Sequence, residues 1–93
     1  MDAAHDAARF RDQVVAGPGG AMTDEAGVIT GDLTLTTAGR PDGLADIRIE
    51  YTGAEETYTL TGSPVPIPPD GLHTLHERTL AHIREGGAAQ APQ

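Results

Sequence analysis

The sequence predicts a two-layer α+β fold with its elements in the order α-β-β-β-α. Three observations carry this. The chain opens on a segment with helical spacing of apolar residues. Three stretches of period-2 alternation follow, joined by short turn-forming segments. A second helical pattern closes the chain behind a proline-rich crossover. Together they give a three-stranded antiparallel meander with both helices on its apolar face.

The first helix is expected from about Asp2 to Ala16. Ala3, Ala7, Phe10 and Val14 recur at i, i+4, i+7 and i+11 and share one face. Asp2 suits the N-cap, and His5, Arg9, Asp12 and Gln13 fall on the solvated side. Gly17-Pro18-Gly19-Gly20 supplies stop signals, and the glycine-rich loop to Gly27 is expected to be mobile.

The strands come next. Leu33 and Leu35 alternate with Asp32, Thr34 and Thr36; Ile47, Ile49 and Tyr51 with Asp46, Arg48 and Glu50; Tyr58 and Leu60 with Thr57, Thr59 and Thr61. Each has one apolar and one polar face, as in an antiparallel sheet open to water on one side. Gly39 to Gly43 and Thr52 to Glu56 are short enough to make hairpins.

Ser63 to Pro69 holds four prolines in seven residues, so it is a stiff crossover and no interior strand, with Val65 and Ile67 aimed at the core. The second helix runs from about Asp70, its expected cap, to Glu85, with Leu72, Leu75, Thr79, Leu80 and Ile83 as its inner stripe. Residues 1–87 therefore form a single α+β domain, and 88–93 are expected to be a disordered C-terminal tail.

This order resembles that of the double-stranded RNA-binding domain over most of the chain. The basic start of the second helix, on which that family's phosphate contacts depend, is replaced here by Asp70-Gly71-Leu72-His73-Thr74. The resemblance implies a shape and no RNA.

Composition narrows function. The 93 residues carry a formal charge of −8, from six arginines against fourteen acids, which opposes a polyanionic partner and so excludes general nucleic-acid binding. Lysine, cysteine, tryptophan and asparagine are absent, which removes Schiff-base chemistry, thiol nucleophiles, disulfides and cysteine zinc sites. No apolar run reaches membrane-span length and no basic, apolar leader opens the chain, so the expected location is the cytoplasm, with no membrane partner. Arginine used to the exclusion of lysine, with much alanine and glycine, suggests a GC-rich bacterial genome.

Candidate site residues fall in two groups. His73, His76 and Glu77 sit at i, i+3 and i+4 on the second helix. That spacing can hold a metal, but a site also needs a third or fourth ligand from elsewhere and the sequence names none, so neither a metal nor any other cofactor is expected. His76 falls within the apolar arc and is expected at the helix–sheet seam, with Tyr51 or Tyr58 as possible companions. The second group is a threonine face, with Thr34, Thr36, Thr57 and Thr59 projecting from the sheet away from the helices. No catalytic residue is assigned: the lone serine, Ser63, lies before a proline, and Glu55-Glu56 lie in a turn.

The expected function is a small acidic, non-catalytic protein-interaction module: an adaptor, an inhibitor or immunity-type protein, or a small subunit. Its partner would be another protein or a second copy paired through an exposed edge strand, the first strand (about Ile29 to Thr37) being undefended. The alternative is a small enzyme or ligand-binding protein with a histidine site at the seam.

Overall fold

A computed structural model describes residues 8–92. In chain order its elements are β1 (Arg9–Val15), β2 (Ala21–Thr23), β3 (Gly27–Ile29), β4 (Asp32–Gly39), β5 (Leu44–Tyr51), β6 (Tyr58–Thr59), β7 (Val65–Pro66) and α1 (Leu72–Glu85). The molecule is a small α+β fold of antiparallel strands with one helix among the described residues. The expected meander is its centre, in the order β4-β5-β6.

Residues 9–15 correct the first expectation. They form a strand, not a helix, and pair antiparallel with β4 from Arg9 opposite Ala38 to Val15 opposite Asp32. The expected helix residues 2–7 lie outside the described residues. The element order is thus not that of the double-stranded RNA-binding domain, and the likeness of shape goes with it. Phe10 and Val14, four apart, fit a helix face and a strand face equally, because an even spacing returns to the same side of a pleat. On β1 they point inward with Asp12 between them, while Arg9, Arg11, Gln13 and Val15 point outward.

The inner face of the sheet is apolar. Leu33, Leu35, Ala45, Ile47, Ile49 and Leu60 are fully buried, and Val14 and Val65 nearly so. Against them α1 lays Leu75, His76, Thr79, Leu80 and Ile83, with Leu72 half-buried at its start. Gly71 stands at the N-cap position without a side-chain cap; Asp70, expected there, instead accepts from Arg78 at 3.3 Å.

The far side of β5 changes partner along its length. Leu60 N–H donates to Ile47 O at 3.1 Å beside β6, and β7 then pairs Val65 with Ala45. At the changeover the Ser63 hydroxyl accepts the Ile47 N–H at 2.8 Å, standing in for a strand carbonyl. The crossover therefore serves as an edge, where its prolines cost no ladder bond.

Both margins of the meander are covered, which corrects the expected dimer edge. The outer edge of β4 is taken by β1. The edge of β6 is taken by the β2–β3 hairpin: Asp24 N–H donates to Thr59 O at 3.0 Å, and the Glu25 carboxylate accepts Thr59 N–H at 2.7 Å and Thr59 hydroxyl at 2.8 Å. Among the described residues the sheet ends at β1, which carries Arg9, Arg11 and Asp12, charges that discourage further strand addition.

The glycine loop and the C-terminal segment also differ from expectation. Gly17 N–H donates to Ile83 O at 2.9 Å, Gly87 N–H to Pro18 O at 2.7 Å, and Ala88 N–H to Gly19 O at 2.9 Å. Two backbones lie directly against each other, and a Cβ on Gly17 or Gly86 would meet main-chain atoms of the facing segment. Ala89 and Ala91 are then buried, and Met22 and Ala91 N–H groups bond to Ala89 O and Thr61 O at 2.9 Å each. The loop is held and residues 88–92 are docked because backbone pairing, invisible in side-chain patterns, supplies the contact.

Candidate functional site

Two places bring chemistry-bearing side chains together. The first is the seam between α1 and the β1 margin. His76 is fully buried and bonded at both ring nitrogens: Nδ1 to Thr37 Oγ1 at 2.8 Å and Nε2 to Asp12 Oδ2 at 2.8 Å. A carboxylate only accepts, so Nε2–H donates to Asp12 and, in the neutral ring, Nδ1 accepts the Thr37 hydroxyl proton. Phe10 covers the pair from outside, its ring centroid 5.0 Å from that of His73 and 5.6 Å from that of His76.

An acid–histidine–hydroxyl series is the arrangement of a nucleophile triad, but here the hydroxyl lies at the sealed end. Thr37 is fully buried, whereas the Asp12 side chain is 56% exposed. A substrate would meet the carboxylate and never the hydroxyl. The series holds the helix to the two strands.

The structure also separates the expected companions of His76. His73 is turned outward, 3.5 Å from Glu77, so His73, His76 and Glu77 do not converge. Among the described residues no group of three metal-ligating side chains does. Tyr51 and Tyr58 belong to β5 and β6, while His76 meets β1 and β4. Tyr51 is exposed. The Tyr58 hydroxyl donates to Glu56 at 3.0 Å, and this bond to its protonated form pushes the phenol above its ordinary pKa.

The second place is the outer face of the sheet, where Thr34, Thr36 and Thr59 fall as the alternation requires. Register aligns Arg11, Thr36, Arg48 and Thr59 in one row across four strands. Arg48 is fixed within it: Nη1 donates to Thr59 Oγ1 at 3.0 Å, and Nη2 to Thr57 Oγ1 at 2.9 Å and to Thr57 O at 3.4 Å. Thr34 lies one row along, bonded to Thr52 at 2.9 Å, which in turn donates to Asp32 at 2.7 Å.

Two adjoining recesses share Arg9 and Arg48. One, of about 270 Å³, is lined also by Arg11, Thr36, Glu50 and Thr57. The other, of about 530 Å³, runs on past Asp46 and Thr59 to Ser63 and Pro64. They make one trough across the sheet. Three of the six arginines of this acidic chain line it.

The carboxylates of the trough already have cations. Glu50, with its side chain 9% exposed, lies 3.7 Å from Arg11, and Asp46 lies 3.3 Å from Arg40. Arg48 is held by neutral oxygens and has no carboxylate within ion-pair distance among the described residues. The Glu25 carboxylate shares Thr59 with Arg48, and the two Thr59 bonds, backbone first, hold its pKa below the ordinary glutamate value, with Arg48 adding to the effect.

Sequence reasoning placed the threonines but missed the arginines. Arg9 and Arg11 were assigned to a helix, and Arg48 was read as one more solvated polar residue. The adjacent β-branched pair Val14-Val15 was the available signal that this segment is a strand.

No protein-family model matches the chain, and no curated protein or solved structure matches it. No helix of the described residues is long and apolar enough to cross a membrane.

Proposed function

We propose that the chain is a non-catalytic protein-interaction module that receives its partner on the outer face of the sheet. The observation that carries this is the trough itself. The helix, the hairpin and the C-terminal segment cover the inner face and one margin, and among the described residues the outer face is left to threonines and to an Arg48 that Thr57 and Thr59 hold in place. Such groups lose little freedom on binding, which favours recognition by a modest surface. The chain's net charge of −8 repels nucleic acid and leaves proteins as the natural class of partner.

The histidine alternative is weaker because the only buried hydroxyl partner of His76 is sealed. Self-association through the first meander strand is weaker because β1 occupies that edge.

The test is affinity capture from the native host with three baits: wild type, Thr36→Glu in the trough, and Glu77→Arg on the outer surface of the helix. A stoichiometric partner lost with Thr36→Glu and kept with Glu77→Arg supports the reading. A partner kept by the trough variant and lost by the helix variant contradicts it.

A further inference from the structure

We infer that the trough takes an extended acidic peptide segment, its carboxylates meeting Arg48 and Arg11, with Glu50 as a built-in carboxylate that the ligand displaces. The inference rests on the reading of the outer face as the binding face and adds the chemistry of the partner.

Three features of the trough lead there. The first is the unspent valence of Arg48. A guanidinium has five N–H donors in a fixed fork, and the threonines take two from Nη2 and one from Nη1. One Nη1–H and Nε–H are left for a ligand. The fork's direct acceptors are neutral, and the Glu25 carboxylate is bonded to the shared Thr59 hydroxyl and not to the fork itself, so an incoming carboxylate gains charge-assisted bonds at little ordering cost.

The second is Glu50. It is nearly buried, yet its described cation, Arg11, is itself 62% exposed and stands 3.7 Å away, beyond hydrogen-bond length. The pair is loose, and Arg11 can turn from Glu50 to an incoming carboxylate. The site thus holds in itself the kind of group it receives.

The third is shape. The two recesses share Arg9 and Arg48 and continue from Glu50 to Pro64 across the strands. A single small acid would fill one end, whereas an extended peptide spans both. The charge of −8 does not forbid this: at physiological ionic strength the screening length is about 8 Å, so the arginines in contact outweigh remote acids.

The test uses the isotope-labelled full chain at physiological salt. The probes are an acetylated, amidated hexaglutamate, the matching hexaglutamine, and free glutamate. Hexaglutamate is expected to bind saturably and to move amide signals of Arg11, Thr36 and Arg48. Arg48→Lys, which keeps the charge and loses the fork, is expected to weaken it about tenfold, and Glu50→Gln to strengthen it several-fold. Circular dichroism and thermal melting establish that each variant is folded, and should Arg48→Lys fail to fold, Arg11→Gln takes its place with the same expected direction. Equal binding of hexaglutamine, shifts confined to the helix, or no binding overturns the inference. Free glutamate binding as tightly as the peptide overturns the extended occupant, and Glu50→Gln without gain overturns the displaced carboxylate. If hexaglutamate fails while capture of a native partner still depends on Thr36, the ligand class falls and the interaction module stands.

Discussion

His76 shows how much one buried histidine can hold together. Its two nitrogens satisfy a buried hydroxyl and a half-exposed carboxylate, fastening α1 to β4 and β1 at once. His76→Leu suits the apolar surroundings but leaves the Thr37 hydroxyl buried without a partner, a loss of about 1–3 kcal/mol. Adding Thr37→Val removes the orphan, so the double variant should recover part of that loss; chemical denaturation of the four proteins of the cycle measures it. Equal loss in single and double variants would place the cost elsewhere. Ser63 is a second residue of this kind. Ser63→Ala strips the buried Ile47 N–H of its acceptor and should cost about 1–3 kcal/mol, read from the same denaturation midpoints, although it removes one oxygen atom. Glu25 makes a prediction about pH. Its carboxylate is held below the ordinary glutamate pKa by Thr59, so its contribution to hairpin docking is complete above that ordinary value and is lost as pH falls through the lowered one. An NMR titration should find the Glu25 midpoint below the usual glutamate range, with the Thr59 amide signal moving in step; Glu25→Gln should flatten that response.

At the scale of elements, much was legible and the exceptions have physical causes. The alternations Leu33/Leu35 and Ile47/Ile49 each fix a face, and short turn-rich links fix the meander. The stripe Leu75, Thr79, Leu80, Ile83 fixes the inner side of α1 and brings His76 with it. β1 was not legible because its inner face is interrupted by Asp12, whose partner lies sixty-four residues away, so its alternation reads as polar where the fold treats it as satisfied. The trough was half legible for the same reason: its threonines follow from strand period, but the row joining Arg11 to Arg48 exists only once β1 is known to be a strand. The docked loop and C-terminal segment left no side-chain signature, since glycine and alanine there expose backbone to backbone. Gly86→Ala introduces a Cβ against Pro18 and Gly17 main chain at a residue with φ of 82°, so both sterics and conformation oppose it. It should lower the melting temperature by several degrees and raise amide exchange at Ala88 and Ala89, whose N–H groups bond across that contact, and at Ala91, which follows them onto Thr61. Gly27→Ala meets no atoms, though its φ of 67° still costs strain, and so serves as a comparison in which the exchange at 88–91 is unchanged.

Across the whole molecule, cover is distributed unevenly. The inner face of the sheet and the margins of the meander are closed by the chain itself, and polar groups that end up inside have partners; among the described residues no buried side-chain nitrogen or oxygen lacks one. The outer face is left uncovered by the described residues, and in a chain poor in cations it gathers three of the six arginines. That arrangement suits the binding role proposed for it, because Thr57 and Thr59 fix Arg48 in place and two of its N–H donors are left unspent. The most direct test is a photo-crosslinking residue at Thr36 in the native host, compared with one at Glu77 on the helix. The account predicts one stoichiometric protein adduct from position 36 and none from 77. An adduct from 77 alone, or equal yields from both, would contradict the outer face of the sheet as the place where this protein meets its partner.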